Sequence, residues 1–200
     1  MNLDDKIFEF IFIEAIKDAT MQLSYKGNKR YLIQSDLINC LNSDIEHLID
    51  KVFKNGYSSQ EEYDEDFLST TISICRIIKS KIKNDTFTFG NAQKLINMMI
   101  KYFYITTYND NVSKEIFKYC HCPMDQKLLK NIWDKCKDLN RNKILGKSDY
   151  FLKSWGNENF EFDAEGKEIY PKRYNLFQQV VRCFAEKDKK NPIEYDYCVW

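Results

Sequence analysis

The sequence predicts an all-α fold, a compact multi-helix bundle, on three observations. Apolar residues recur at three- and four-residue spacing along most of the chain, the period of a helix with one inward face. Only 6 Gly and 3 Pro in 200 residues leave few tight turns. Several periodic segments open on a capping residue and close on a glycine.

Each element follows from its own pattern. Residues 3–25 place Ile7, Phe8, Ile11, Phe12, Ala15, Ile16 and Ala19 on one stripe, and Gly27 stops the helix. Ser35 caps a second helix to about Phe53, with Leu37, Ile38, Leu41, Ile45, Leu48 and Ile49 inward and Gly56 at its end. Ser59 and Glu62 have capping-box spacing and start a third helix to about Ile82. Gly90 or Asn91 opens a fourth, to about Tyr104. After a polar loop at 106–111, a short helix covers 113–119. Pro123 and Asp125 begin a helix over 126–138, carrying Leu128, Leu129, Ile132 and Trp133. Residues 139–170 lose the period and read as loops with short helices around Gly146, Gly156 and Gly166. A last helix spans 171–186, and the aromatic tail NPIEYDYCVW is expected to pack down. No repeat or linker divides the chain. One helical domain over 1–200 is expected, with two lobes meeting near Lys94 and Asp125 as the alternative layout.

Composition narrows the function classes. The chain is 44% hydrophobic, 30% charged and 15% aromatic, which is globular rather than disordered. No apolar run reaches the roughly 20 residues that span a bilayer. The opening MNLDDKIFEFIF lacks a basic signal-peptide start, so a cytoplasmic protein is expected. The 7 Cys are odd in number and irregular in spacing, which suits reduced thiols. Cys120-His121-Cys122 does not match zinc-ligand spacing, and no metal or other cofactor is expected.

Thirty basic and thirty acidic side chains cancel, but they are segregated. Residues 36–66 carry nine acids against two lysines, a net −7. Residues 76–101 carry six bases against one acid, and residues 127–153 eight against three, each +5. A polyanion is drawn to the basic half and repelled by the acidic half; solvated helix faces are the competing explanation.

The candidate chemistry lies in residues 89–129. The fourth helix is apolar nearly all round, yet Asn91, Lys94, Asn97 and Lys101 form one polar stripe at steps of three, three and four. Such a stripe faces a cleft, a partner or water, because unpaired burial is costly. A lysine in a partly apolar cleft loses charge stabilisation and becomes a nucleophile. Asp125, 31 residues later in the turn His-Cys-Pro-Met-Asp, is a helix N-cap, held ionised by backbone N–H groups and the helix dipole. A fixed carboxylate of that kind can stabilise a cationic transition state.

A helix, a short Gly-containing connection, a lysine-bearing helix and a Pro-x-Asp turn opening the next helix resemble the helix-hairpin-helix DNA glycosylases. The likeness covers about residues 68–135 and is nearest in layout to the archaeal 8-oxoguanine branch. It implies a bundle of that type acting on double-stranded DNA that flips a modified base from the stack; a monomer is expected. Lys94 matches the family's Schiff-base lysine and Asp125 its catalytic aspartate. Gly90, Asn91, Gln93, Asn97, Lys101, His121 and Trp155 are the implied DNA- and base-binding positions. The hairpin here has a single glycine, Gly90, where the family has a Gly-x-Gly that holds a phosphate. The alternatives are a non-catalytic helical module binding nucleic acid or protein, for instance in phage–host conflict, and an all-helical enzyme acting on nucleotides.

Overall fold

In the computed structural model, one helix organises the rest. The structure describes residues 5–20, 35–54, 56–82, 87–107 and 114–196. Among these the chain is all-α apart from one two-stranded hairpin. Helix α4 (Phe89–Thr106) runs through the core, with fifteen of its eighteen residues buried. It packs against α1 (Asp5–Thr20), α3 (Gln60–Ile82) and a 3₁₀ turn at Trp155–Asn157. Helix α2 (Ser35–Lys54) lies against α3. The predicted apolar stripes form most of the core: Phe8, Phe12 and Ile16 from α1, Leu41, Ile45 and Leu48 from α2, and Leu95, Met99 and Phe103 from α4 are all buried, whereas Ile7, at the edge of its stripe, is exposed and the side chains of Leu37 and Ile38 lie outside the described residues. Burial stabilises by roughly 1.5–3 kcal/mol for each such large apolar side chain.

Helix ends show where local chemistry differs from the expectation. α1 is seen as far as Thr20; residues 21–25 and Gly27 lie outside the described residues. α2 ends on Gly56, whose φ of +65° suits a residue without a side chain and whose N–H reaches Lys51 O at 3.0 Å. The box at the start of α3 is half formed. Ser59 Oγ accepts from Glu62 N, but the Glu62 carboxylate turns back to Ser58, at 2.9 Å from its N and 2.6 Å from its Oγ. α4 begins one residue earlier than Gly90. Thr88 is its N-cap, accepting from Asn91 N, while Asn91 Oδ1 accepts from Thr88 N at 3.1 Å. The segment expected as a short helix over 113–119 is a 3₁₀ turn at Lys114–Phe117, with Ser113 outside the described residues.

Helix α5 (Gln126–Lys135) is shorter than the expected 126–138: it closes at Cys136, and a 3₁₀ turn, Lys137–Leu139, follows. Residues 139–170 contain α6 (Arg141–Leu145), α7 (Ser148–Phe151) and a hairpin of β1 (Glu161–Phe162) with β2 (Glu168–Ile169). The hairpin was not expected. Its turn is built by Asp163, whose Oδ1 accepts from Glu165 N and Lys167 N, with Gly166 at φ +80°. α8 (Lys172–Lys187) and α9 (Pro192–Tyr195) are the last described helices, and of the aromatic tail Ile193 and Tyr195 pack down as expected, while residues 197–200 lie outside the described residues. No helix among the described residues is long and apolar enough to cross a membrane. Cys75, Cys120, Cys122 and Cys136 are buried free thiols, and burial pushes those of Cys75 and Cys120 up to about 12.

Candidate active site

The polar stripe of α4 is not a solvent face. Asn91, Lys94, Asn97 and Lys101 are all buried, and each meets a partner from a different part of the chain. Asn91 Nδ2 donates to Ala19 O at the end of α1, at 2.7 Å. Lys94 Nζ donates to Asp125 Oδ2 at 2.8 Å. Asn97 Nδ2 donates to Tyr174 Oη at 3.1 Å. Lys101 pairs with Asp196, just beyond α9. The stripe is therefore a set of polar fasteners inside the bundle, each satisfying a group whose burial alone would be costly.

Lys94 and Asp125 are 6% and 8% exposed, nearly closed off but not sealed. Asp125 uses its other oxygen as the cap of α5, with Oδ1 accepting from Leu128 N at 2.9 Å. Its position is thus fixed from two sides, by a helix terminus and by an ammonium.

Two buried glutamines hold the turn that delivers Asp125. Gln178, on α8, brackets Cys122: its Oε1 accepts from Cys122 N at 3.1 Å and its Nε2 donates to Cys122 O at 2.8 Å. Gln93 does the same to Met124, at 3.2 and 3.0 Å. Each side-chain amide supplies the donor and acceptor that a neighbouring strand would supply, so an extended segment is held inside an all-helical protein. Gln178 was not among the sequence candidates; its single signal was a polar residue interrupting the apolar face of the last helix.

The opposite wall is the segment 150–158, wrapped around Arg173. That buried guanidinium donates through Nη1 to the carbonyls of Tyr150, Phe151 and Lys153, at 3.3, 3.4 and 2.5 Å, and through Nη2 to Ser154 O at 3.2 Å, and it pairs with Glu158. Gln126 ties the same segment to the start of α5 by donating to Leu152 O at 3.0 Å. The wall presents Trp155, whose ring centroid lies 6.0 Å from Lys94 Nζ, at the outer range of a cation–π contact.

Gly90 joins the wall to α4. Its N–H donates to Glu158 O at 3.0 Å, so that amide is committed within the protein. A Cβ at this position would lie 1.9 Å from Trp155 O, a backbone atom. Gly90→Ala is therefore expected to cost about 1–3 kcal/mol as the wall is forced away from α4. Thermal unfolding would register this as a lowered Tm with a shifted tryptophan emission, and an unchanged Tm would exclude the close approach.

His121 is buried in an aromatic cluster, with ring centroids 4.7 Å from Phe67 and 5.1 Å from Tyr63. Its Nδ1 is 2.9 Å from Tyr174 Oη and its Nε2 is 2.7 Å from Asp64 Oδ1. Tyr174 Oη already accepts from Asn97, so its own proton goes to His121 Nδ1, and Nε2–H donates to the Asp64 carboxylate. A neutral imidazole results. Burial pushes His121 below the ordinary histidine range, with the Asp64 hydrogen bond opposing. Burial pushes Asp64 up, but the hydrogen bonds it accepts from His121 and Gln60 hold it below the ordinary carboxylate range. Both groups bind protons more weakly folded than unfolded. Stability is accordingly fully present above the unfolded histidine value near 6.5 and falls as pH drops below it, and again below the unfolded aspartate value near 3.9. Urea unfolding from pH 7.5 to 5 is expected to show this decline, and His121→Asn to flatten it. An undiminished decline in that variant would assign it to other groups.

Of the sequence-predicted positions, Lys94, Asp125, Gln93 and Trp155 gather at one place. Asn97 and His121 form the adjoining hydrogen-bonded chain through Tyr174, while Asn91, Gly90 and Lys101 secure α4 to α1, to the 150–158 wall and to Asp196. No protein-family model, curated protein or solved structure matches this chain.

Proposed function

We propose that the protein is a DNA glycosylase, excising a modified or damaged base that it flips out of the duplex. The observation that carries this reading is the 2.8 Å approach of the Lys94 amine to the Asp125 carboxylate. Two residues 31 apart in sequence converge at one lightly exposed point, and the carboxylate is held in place by the helix that it caps.

The chemistry follows from those two groups. Flipping brings C1′ of the target nucleoside to the pair, at a cost of a few kcal/mol in unstacking. As the C1′–N bond breaks, positive charge grows on the sugar, and the fixed Asp125 carboxylate stabilises it. The departing base takes up a proton, which Lys94 Nζ supplies. The freed amine then forms the bond to C1′, and opening of the sugar ring gives the Schiff base. Loss of the C2′ proton expels the 3′ phosphate, and water hydrolyses the imine to regenerate lysine. Trp155 offers an aromatic surface beside the amine. Asn97 Oδ1, one turn along α4 from Lys94, is buried with no donor, and an N–H on the extruded base would satisfy it. Lys127 and Lys130, exposed in the first turns of α5, continue the charge outward from Asp125 to meet the backbone.

A second reading rests on the same pair: a buried ammonium and carboxylate that already satisfy each other serve a non-catalytic module equally well. Borohydride trapping on duplexes carrying a panel of oxidised, alkylated and hypermodified bases separates the two. A covalent adduct is expected with the wild type and none with Lys94→Gln, while Asp125→Asn binds DNA but loses excision by 10²-fold or more, on the order of one lost electrostatic stabiliser. Absence of adducts and of abasic sites across the panel would leave the binding module.

A further inference from the structure

Away from Lys94, a cleft of about 590 Å³ opens where the Lys114–Phe117 turn meets the C-terminal end of α8 and the start of α9. That volume is in the range of small-ligand sites. Its walls carry Lys114, Lys118, Arg182, Lys189 and Lys190 against three glutamates, an excess of two positive charges. One of those glutamates, Glu194, has its carboxylate engaged by Tyr104 Oη at 2.5 Å and Asn191 N at 2.7 Å. Tyr104 lies ten residues beyond Lys94, roughly 15 Å along α4, so the cleft and the Lys94–Asp125 pair are separate places.

Two further observations concern the basic residues themselves. Arg182 Nη1 is buried and has no acceptor. A guanidinium nitrogen in that condition is destabilising unless something supplies an oxygen. Lys189 has φ +55° at the residue closing α8. There, Lys189 N reaches Glu186 O at 3.0 Å and Lys190 N reaches Ala185 O at 2.9 Å, the helix-ending pattern that normally places glycine in the left-handed position. A lysine there is strained, and strain of this kind gathers at functional sites.

We propose that this cleft binds a phosphate-bearing ligand of nucleotide size, with the Arg182 guanidinium and the Lys189 ammonium on the phosphate oxygens. Arginine matches the phosphate with its fork of donors, and the lysine adds a point charge. The phosphate belongs either to a free nucleotide or to a nucleic-acid backbone.

Calorimetric titration of the whole protein at low ionic strength tests this, with pyrophosphate, adenosine monophosphate and a short duplex lacking terminal phosphates as probes. Arg182→Gln is expected to weaken binding about tenfold and Lys189→Gly about threefold. Lys189→Gly is also expected to raise Tm by about 2–4 °C, because glycine relieves the left-handed strain. A variant that is more stable yet binds less well cannot be explained by damage to the fold. Losses with pyrophosphate and the mononucleotide identify a free nucleotide as the source, and losses confined to the duplex identify the backbone. Failure of all three probes to bind, or binding that neither substitution weakens, overturns the proposal. Excision is not the readout, so a failure of Lys94-dependent trapping and a failure of this cleft are distinguishable.

Discussion

Lys94→Met is expected to destabilise the protein by about 3–5 kcal/mol, because it strands the Asp125 carboxylate in a nearly closed site. Asp125→Leu is expected to cost a similar amount by stranding the ammonium, plus about 1 kcal/mol for the lost cap on Leu128 N. The double variant removes both charges together. It should recover most of the loss and sit only about 1–2 kcal/mol below the wild type, since apolar replacement of a buried pair is often close to neutral. Urea unfolding of the four proteins at pH 7 gives the coupling directly. Strict additivity of the two single losses would mean that the groups do not interact in solution. The cycle also divides structure from chemistry. A double variant that folds well and excises nothing assigns the pair to the reaction, whereas each single variant confounds the two.

Arg173→Met is the second large effect. The side chain is 1% exposed and donates to four backbone carbonyls of the 150–158 wall while pairing with Glu158. Removing it leaves those carbonyls and a half-buried carboxylate without their donor. A loss of about 3–5 kcal/mol is expected. Arg173→Lys should recover only part of it, because an ammonium offers three donors from one point where the guanidinium offers five in a plane. Limited proteolysis should cut first within residues 150–158, and Trp155 emission should move to longer wavelength. Cleavage beginning elsewhere, with Trp155 unchanged, would show that the wall stands without Arg173.

The all-α class was legible because each helix states its inward face in its own residues. The Lys94–Asp125 pair was singled out for a different reason: a lysine on an apolar helix and an aspartate at a helix start are both conspicuous locally. What the sequence left open was the environment. Asn91, Lys94, Asn97 and Lys101 look equally suited to solvent, and only tertiary partners such as Ala19 O, Tyr174 and Asp196 make their burial tolerable. Arg173 and Gln178 were missed on the same ground. Both lie on α8, where one polar residue among several is only a weak mark of an interior position, and their partners are backbone atoms, which are the same in every residue. The hairpin at 161–169 escaped because its strands are two residues each, too short to show alternation.

The glutamine brackets on Cys122 and Met124 set a rule about length. The two bracketed residues are two positions apart, with Pro123 between them, and the glutamines come from different helices whose spacing the core fixes. Removing or adding a single residue there would put one bracket out of phase and rotate the following aspartate away from the amine. This stretch therefore tolerates new side chains far better than a change in the number of residues, although it belongs to no regular element.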